Sequence, residues 1–148
     1  MTKRDYLLSK KFSIKFNDFI RAGEVSIEMQ NILKSIGFEK SLIKRVAICA
    51  YEAEMNMVMH GSDGNATLTI KDDQIVLEFQ DHGPGIEDLE WAMQPGTSTA
   101  KIEHQKMGFG AGMGLPNMKN NSDSLCVDTG KGKGTYVKML FFIDKIRK

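Results

Sequence analysis

Residues 66–85 read ATLTIKDDQIVLEFQDHGPG, and the alternation inside them decides the fold. Ala66–Lys71 and Gln74–Gln80 each alternate apolar and polar side chains, the period of two expected of strands with one buried face. The Asp72-Asp73 pair between them makes a tight hairpin, so the two strands run antiparallel. In the second strand Ile75, Leu77 and Phe79 share one face, and Asp81 continues that row. A carboxylate is thereby aimed inward, where it is costly unless a cation or a ligand's donor meets it.

Upstream, Ser41 is a candidate N-cap, and Leu42, Ile43, Val46, Ala47, Ala50 and Ala53 recur at helical spacing up to His60, where Gly61 ends the element. Further upstream, Phe12–Phe16 alternates as a strand, Asn17 and Asp18 offer a cap, and a helix is expected from about Asp18 to Ile36 with Gly37 as its stop. Downstream, Glu87–Met93 reads as a short helix, and Gln94–Met107 as an aperiodic loop. A helix over Met113–Asn121 opens from a glycine cluster, and strands at Ser124–Asp128 and Thr135–Ile143 complete the sheet across the Gly130–Gly134 turn.

The 148 residues suit one domain, taken as 1–148, burying roughly two-thirds of the surface that the unfolded chain exposes. Net charge is +1, from 20 Lys and Arg against 19 Asp and Glu, so no global field points to nucleic acid or an anionic membrane. No segment reaches the run of about 20 apolar residues of a membrane helix, and Met1–Lys11 lacks the apolar centre of a signal peptide. A cytoplasmic location is expected. Cys49 and Cys126 have no Cys-x-x-Cys spacing and are read as reduced cysteines without a metal role.

Three segments carry chemistry. Glu52, Asn56 and His60 are spaced by four on the central helix and project from one stripe. They form either a solvated face or a site in which Glu52 is a general base and Asn56 an oxygen ligand for Mg²⁺, a hard cation that keeps most of its waters and leans on substrate phosphates. His60 fits a cationic cap at the helix C-terminus. Asp81-His-Gly83-Pro-Gly85 is either a self-capping turn or an adenine site, with Asp81 accepting from the 6-amino group and the two glycines admitting a flat base. His82 alternates outward, to the surface. Gly108-Phe-Gly110-Ala-Gly112-Met-Gly114-Leu-Pro116 is either a flexible loop or a phosphate cradle opening into a helix. Walker and Rossmann spacings fail, and neither a His-Arg-Asp nor an Asp-Phe-Gly triplet occurs.

Taken in order, Glu52-x-x-x-Asn56, Asp81-x-Gly83-x-Gly85, Gly108-x-Gly110-x-Gly112-x-Gly114 and Gly134-Thr135 resemble the N, G1, G2 and G3 boxes of the GHKL ATPase superfamily. Within it, the chain is most similar to the small single-domain anti-sigma factors and serine/threonine kinases of bacterial stress and sporulation switches. Thr97-Ser98-Thr99 and Gly112–Pro116 have near counterparts there. The resemblance implies a two-layer α/β sandwich, the Bergerat fold, with a mixed, mostly antiparallel sheet and helices on one face. It implies ATP and Mg²⁺ as cofactors, Asn56 on the metal, Asp81 on the adenine amino group and Gly83 and Gly85 framing the base. Thr135 would support adenine beside Asp81, and Gly110, Gly112, Gly114 and Leu115 would turn backbone amides to the phosphates. Ile86, Ser98, Thr99, Gly108, Ala111 and Met113 complete the implied nucleotide contacts, and Glu52 would activate the attacking hydroxyl. Ala100–Met107 is longer than in the similar kinases, so no role passes to Lys101 or His104.

The function expected is an ATP-dependent serine/threonine kinase or anti-sigma regulator that phosphorylates a STAS-type antagonist. The alternative is a nucleotide-gated anti-sigma binding module with little or no kinase activity. A sigma factor, a phosphatase and a second copy of the chain are the further partners considered, with neither nucleic acid nor membrane among them.

Overall fold

The computed structural model of the protein describes residues 6–86, 93 and 114–143. Its elements are β1 (Leu8–Ile14), α1 (Glu24–Ile36), α2 (Lys40–His60), β2 (Gly64–Ile70), β3 (Gln74–Asp81), α3 (Gly114–Asn121), β4 (Ser124–Gly130) and β5 (Gly134–Phe142). The strands form one sheet in the order β1-β2-β3-β5-β4. All four pairings are antiparallel. The hairpin expected at Asp72-Asp73 is present, closed by Lys71 N–H donating to the Gln74 carbonyl at 2.8 Å.

Register puts one apolar row on each strand facing the helices. Leu68 pairs Leu77, Ala66 pairs Phe79 and Ile70 pairs Ile75 across β2 and β3. Met139, Val137 and Phe141 of β5 lie opposite Leu77, Phe79 and Ile75. These side chains form a single core with Met29 and Leu33 of α1, Val46, Cys49, Ala50 and Ala53 of α2, and Leu115 and Met118 of α3. Burying such side chains contributes roughly 1.5–3 kcal/mol each. The opposite face of the sheet carries Thr67, Glu78, Lys138 and Asp128, none of them buried. The protein is thus the expected two-layer α/β sandwich. Among the described residues no helix is long and apolar enough to cross a membrane.

Several boundaries differ from expectation, two of them through local turns and one through a partner strand. The first helix begins at Glu24 rather than near Asp18: Asn17 turns the chain with φ 64°, and Asp18 Oδ1 accepts from Arg21 N–H at 3.3 Å in a separate turn. The second begins at Lys40, and Ser41 does not cap it but hydrogen-bonds the Glu39 carboxylate. The first strand is Leu8–Ile14 rather than Phe12–Phe16 because its partner β2 runs on to Ile70, where it meets Leu8. Cys49 and Cys126 are both free thiols, and burial pushes Cys49 up to about 12. The expected short helix Glu87–Met93 and the loop Gln94–Met107 lie outside the described residues, apart from Met93.

Candidate functional site

Asp81 ends β3 in the row of Ile75, Leu77 and Phe79 and is only 5% exposed, so the inward carboxylate read from the alternation is where the strand puts it. Its Oδ1 accepts the Gly83 N–H at 2.8 Å. Among the described residues no donor is paired with Oδ2. The backbone around it is packed at glycines. A Cβ at Gly61 would lie 2.6 Å from Asp81 Oδ2, and one at Gly83 would lie 2.7 Å from the Gly61 carbonyl carbon. Gly85 sits at φ +77°, and a Cβ there would collide with the Gly130 carbonyl oxygen, so no side chain is tolerated.

Thr135 stands directly opposite Asp81 in the β3–β5 ladder. Its hydroxyl lies 2.9 Å from that of Thr129, the residue facing it on β4. Thr129 donates to the Gly134 carbonyl at 3.0 Å, so in the shared bond Thr135 is the donor. Thr129 also accepts the Ile86 N–H at 2.8 Å, fixing the chain just past the glycines. Thr129 was not singled out from the sequence. Its only signal there is the threonine pairing it makes across the Gly130–Gly134 turn.

The second cluster lies where α2 and α3 pack antiparallel. Arg45 donates from Nε to the Asn121 carbonyl at 2.9 Å and ion-pairs Asp123 at 3.0 Å, which fixes the far end of α3. Cys49 donates to the Met118 carbonyl at 3.7 Å. At the near end, a Cβ at Gly114 would lie 3.2 Å from Asn56 Oδ1 and 3.3 Å from Glu52 Oε2. The last glycine of the cluster therefore abuts the two side chains assigned as metal ligand and base. Glu52 is pushed up from 4.5 by burial, opposed by a hydrogen bond from the Asn117 side chain. Glu52, Asn56 and His60 are all half-buried along one stripe, with Ala50, Ala53 and Met57 buried beside them. His82 is exposed, as expected.

Ser98, Thr99, Gly108, Gly110, Ala111, Gly112 and Met113 lie outside the described residues, as do Lys101 and His104. Of the proposed cradle, Gly114 and the buried Leu115 open α3. Pro116 is the third residue of that helix, where a missing N–H costs nothing. Among the described residues no group of three or more His, Cys, Asp or Glu side chains could hold a metal. Asn56 offers a hard amide oxygen beside Gly114, a donor that suits Mg²⁺ completed by water and phosphate oxygens.

One carboxylate in the same helix was missed. Glu54 is 2% exposed, and it accepts the N–H groups of Gly23 at 2.9 Å, Val25 at 3.3 Å and Ser26 at 3.0 Å. It caps the first turn of α1 from outside that helix, replacing the local cap expected at Asn17 or Asp18.

A family model described as a histidine kinase-like ATPase domain matches residues 19–141. Among curated proteins, the anti-sigma F factor of Thermoanaerobacter sp. (strain X514) is 39% identical over 97 residues, covering 62% of this chain and 64% of that protein. The anti-sigma F factor of Caldanaerobacter subterraneus subsp. tengcongensis is 38% identical over 101 residues, covering 65% and 67%. The match to the first thus spans somewhat less than two-thirds of its length. Among solved structures, a chain of the SiaB-SiaC complex from Pseudomonas aeruginosa superposes with a TM-score of 0.51 at 14% identity, covering 94% of this chain and 91% of that one. At that identity the likeness concerns the fold.

Proposed function

The chain belongs to the histidine kinase-like ATPase family, and from that premise we propose that it is an ATP-dependent serine/threonine kinase of a partner-switching pathway. Its proposed substrate is a STAS-type antagonist protein, its proposed further partner a sigma factor, and its place the cytoplasm. The relatives named anti-sigma F factors support this branch of the family. The observation that carries the reading is the meeting of Glu52 and Asn56 with Gly114 at the mouth of α3.

Asp81, backed by Thr135 and framed by Gly83 and Gly85, would hold the adenine amino group. Gly114 and Leu115 would turn amides toward the phosphates, continuing the run Gly108–Met113. Asn56 would hold Mg²⁺, which neutralises charge on the phosphates when bound. Phosphoryl transfer asks for positioning and charge neutralisation more than covalent chemistry. The partner's hydroxyl oxygen bonds the γ-phosphorus as the bond to the departing ADP oxygen breaks, and the hydroxyl proton passes to Glu52.

The test is Glu52→Gln, incubated with Mg-ATP and a cognate STAS protein. ATP binding should hold, while phosphate transfer falls by about 10²–10⁴-fold. Full transfer by the variant removes Glu52 as base. The relatives' names also favour a second reading, a nucleotide-gated anti-sigma module. Wild-type protein that binds ATP and a sigma factor stably, yet leaves the STAS protein without phosphate, would establish that reading instead.

A further inference from the structure

Asn117 carries a role that the sequence motifs leave unassigned. It lies one turn beyond Gly114 on α3, at the i+3 position that shares the face turned to α2. The antiparallel packing fixes what that face meets. Gly114 lies against Asn56 and Glu52, Met118 against Cys49, and Asn121 against Arg45. Asn117 therefore arrives at Glu52 itself, is half-buried there, and its side-chain amide hydrogen-bonds the carboxylate. Its backbone is tied in turn, because Asn121 Nδ2 donates to the Asn117 carbonyl at 2.9 Å while Arg45 holds the Asn121 carbonyl.

We infer that Asn117 is a positioning residue for the phosphoryl-transfer step, an amide on the helix that opens from the glycine run which orients the Glu52 carboxylate toward the incoming hydroxyl. The inference rests on the reading of Glu52 as base and deepens it. The physical reason is geometric. A carboxylate on a rotatable three-bond stem samples several rotamers, and one amide donor anchored on a second helix selects among them. Because that donor stands on α3, the base is held relative to the element that begins at Gly114 rather than relative to its own helix alone.

The bond also favours the ionised carboxylate, the form that can take a proton. Among the described residues, the other titratable groups interacting with Glu52 are Cys49 and Tyr51 of α2. Burial is the first cause pushing each up, Cys49 to about 12, so both stay neutral across the range in which a carboxyl titrates. Arg45 is engaged by Asp123, and from α3 Gly114 and the uncharged Asn117 meet Glu52.

The test compares Asn117→Leu, which removes the donor, Asn117→Asp, which keeps the shape but sets a like charge beside Glu52, and Asn117→Gln, which restores an amide. Transfer from Mg-ATP to the STAS protein is followed against pH. Leu should lower kcat by about tenfold at neutral pH, leave KM for ATP within about twofold, and move the acid limb of the rate profile up by about one pH unit. Asp should move that limb further, and Gln should recover part of the rate. In a Glu52→Gln background, Asn117→Leu should add nothing. A purely structural role predicts a lower unfolding midpoint with an unmoved acid limb, and that result in both Leu and Asp overturns the inference. The two readings fail separately: full transfer by Glu52→Gln alone sinks the base, whereas a crippled Glu52→Gln beside an unaltered Asn117→Leu sinks only the positioning role.

Discussion

Glu52 and Glu54 stand two residues apart on α2, so the helical twist of about 100° per residue sends them to opposite sides. Glu54 faces the start of α1 and receives three backbone N–H groups. Glu52 faces the start of α3, where among the described residues it receives one side-chain amide and packs closely against Gly114. Burial pushes both carboxyls up, and hydrogen bonds pull both back. Burial and a displaced titration therefore do not separate the structural acid from the one proposed as base in this helix. Saturation does: the oxygens of Glu54 are held by three backbone donors that leave only if α1 unwinds, whereas among the described residues Glu52 is met by the single side-chain amide of Asn117.

The largest effects should fall on opposite properties. Glu54→Ala strands three backbone donors at the head of α1 and should cost roughly 2–4 kcal/mol of stability in urea unfolding, since each buried donor left unsatisfied costs about 1–3 kcal/mol before water enters. Glu52→Gln should stay within about 1 kcal/mol of wild type in the same experiment while losing the transfer described above. A Glu54→Ala protein as stable as wild type would break the comparison on its structural side.

The division between the two acids shows what the sequence could reveal. Periodicity exposes facing, so the Asp81 row and the Glu52-Asn56-His60 stripe were both legible, as was the sheet, whose strands alternate in nearly every residue. Periodicity does not expose who answers a polar group from far along the chain. Glu54 caps Gly23, a residue 31 positions earlier, and nothing local to either announces it. Asn117 reads as an ordinary polar helix residue until α3 is laid antiparallel on α2. Gly61 reads as a helix stop, yet its lack of a side chain also leaves room for the Asp81 carboxylate. Local periodicity and turn signals gave the elements, whereas the expected caps at Asn17, Asp18 and Ser41 did not form, and only packing could assign the polar groups to partners.

A middle-sized effect tests whether incomplete saturation marks a ligand site elsewhere in the molecule. Asp81 resembles Glu52 in that it has one donor on Oδ1 and, among the described residues, none paired with Oδ2. Asp81→Asn should keep the turn at Gly83, because an amide oxygen can still accept that N–H. It should weaken ATP binding about 10- to 150-fold by calorimetry, the equivalent of one hydrogen bond to a charged group at roughly 1.5–3 kcal/mol. An unchanged dissociation constant would mean that an open buried acceptor is not by itself the mark of a ligand here.

The smallest effect concerns acidity and sharpens the comparison without any ligand. A carboxyl whose folded value lies above its unfolded one favours the fold most when protonated. Its contribution is fully present below the unfolded value near 4.5 and is lost as pH rises through the raised folded value. Glu52 and Glu54 should both contribute such a decline as pH rises above 4.5, on top of whatever other groups do. Glu52→Gln removes one share, so its urea midpoint plotted against pH should fall less steeply than that of wild type. Asn117→Leu should steepen it, since the donor that opposes the burial of Glu52 is gone. Parallel curves for wild type and Glu52→Gln would mean that the Glu52 carboxyl is solvated as freely in the folded protein as in the unfolded chain. The contrast with Glu54 would then be one of partners together with burial, since only Glu54 would feel the loss of water.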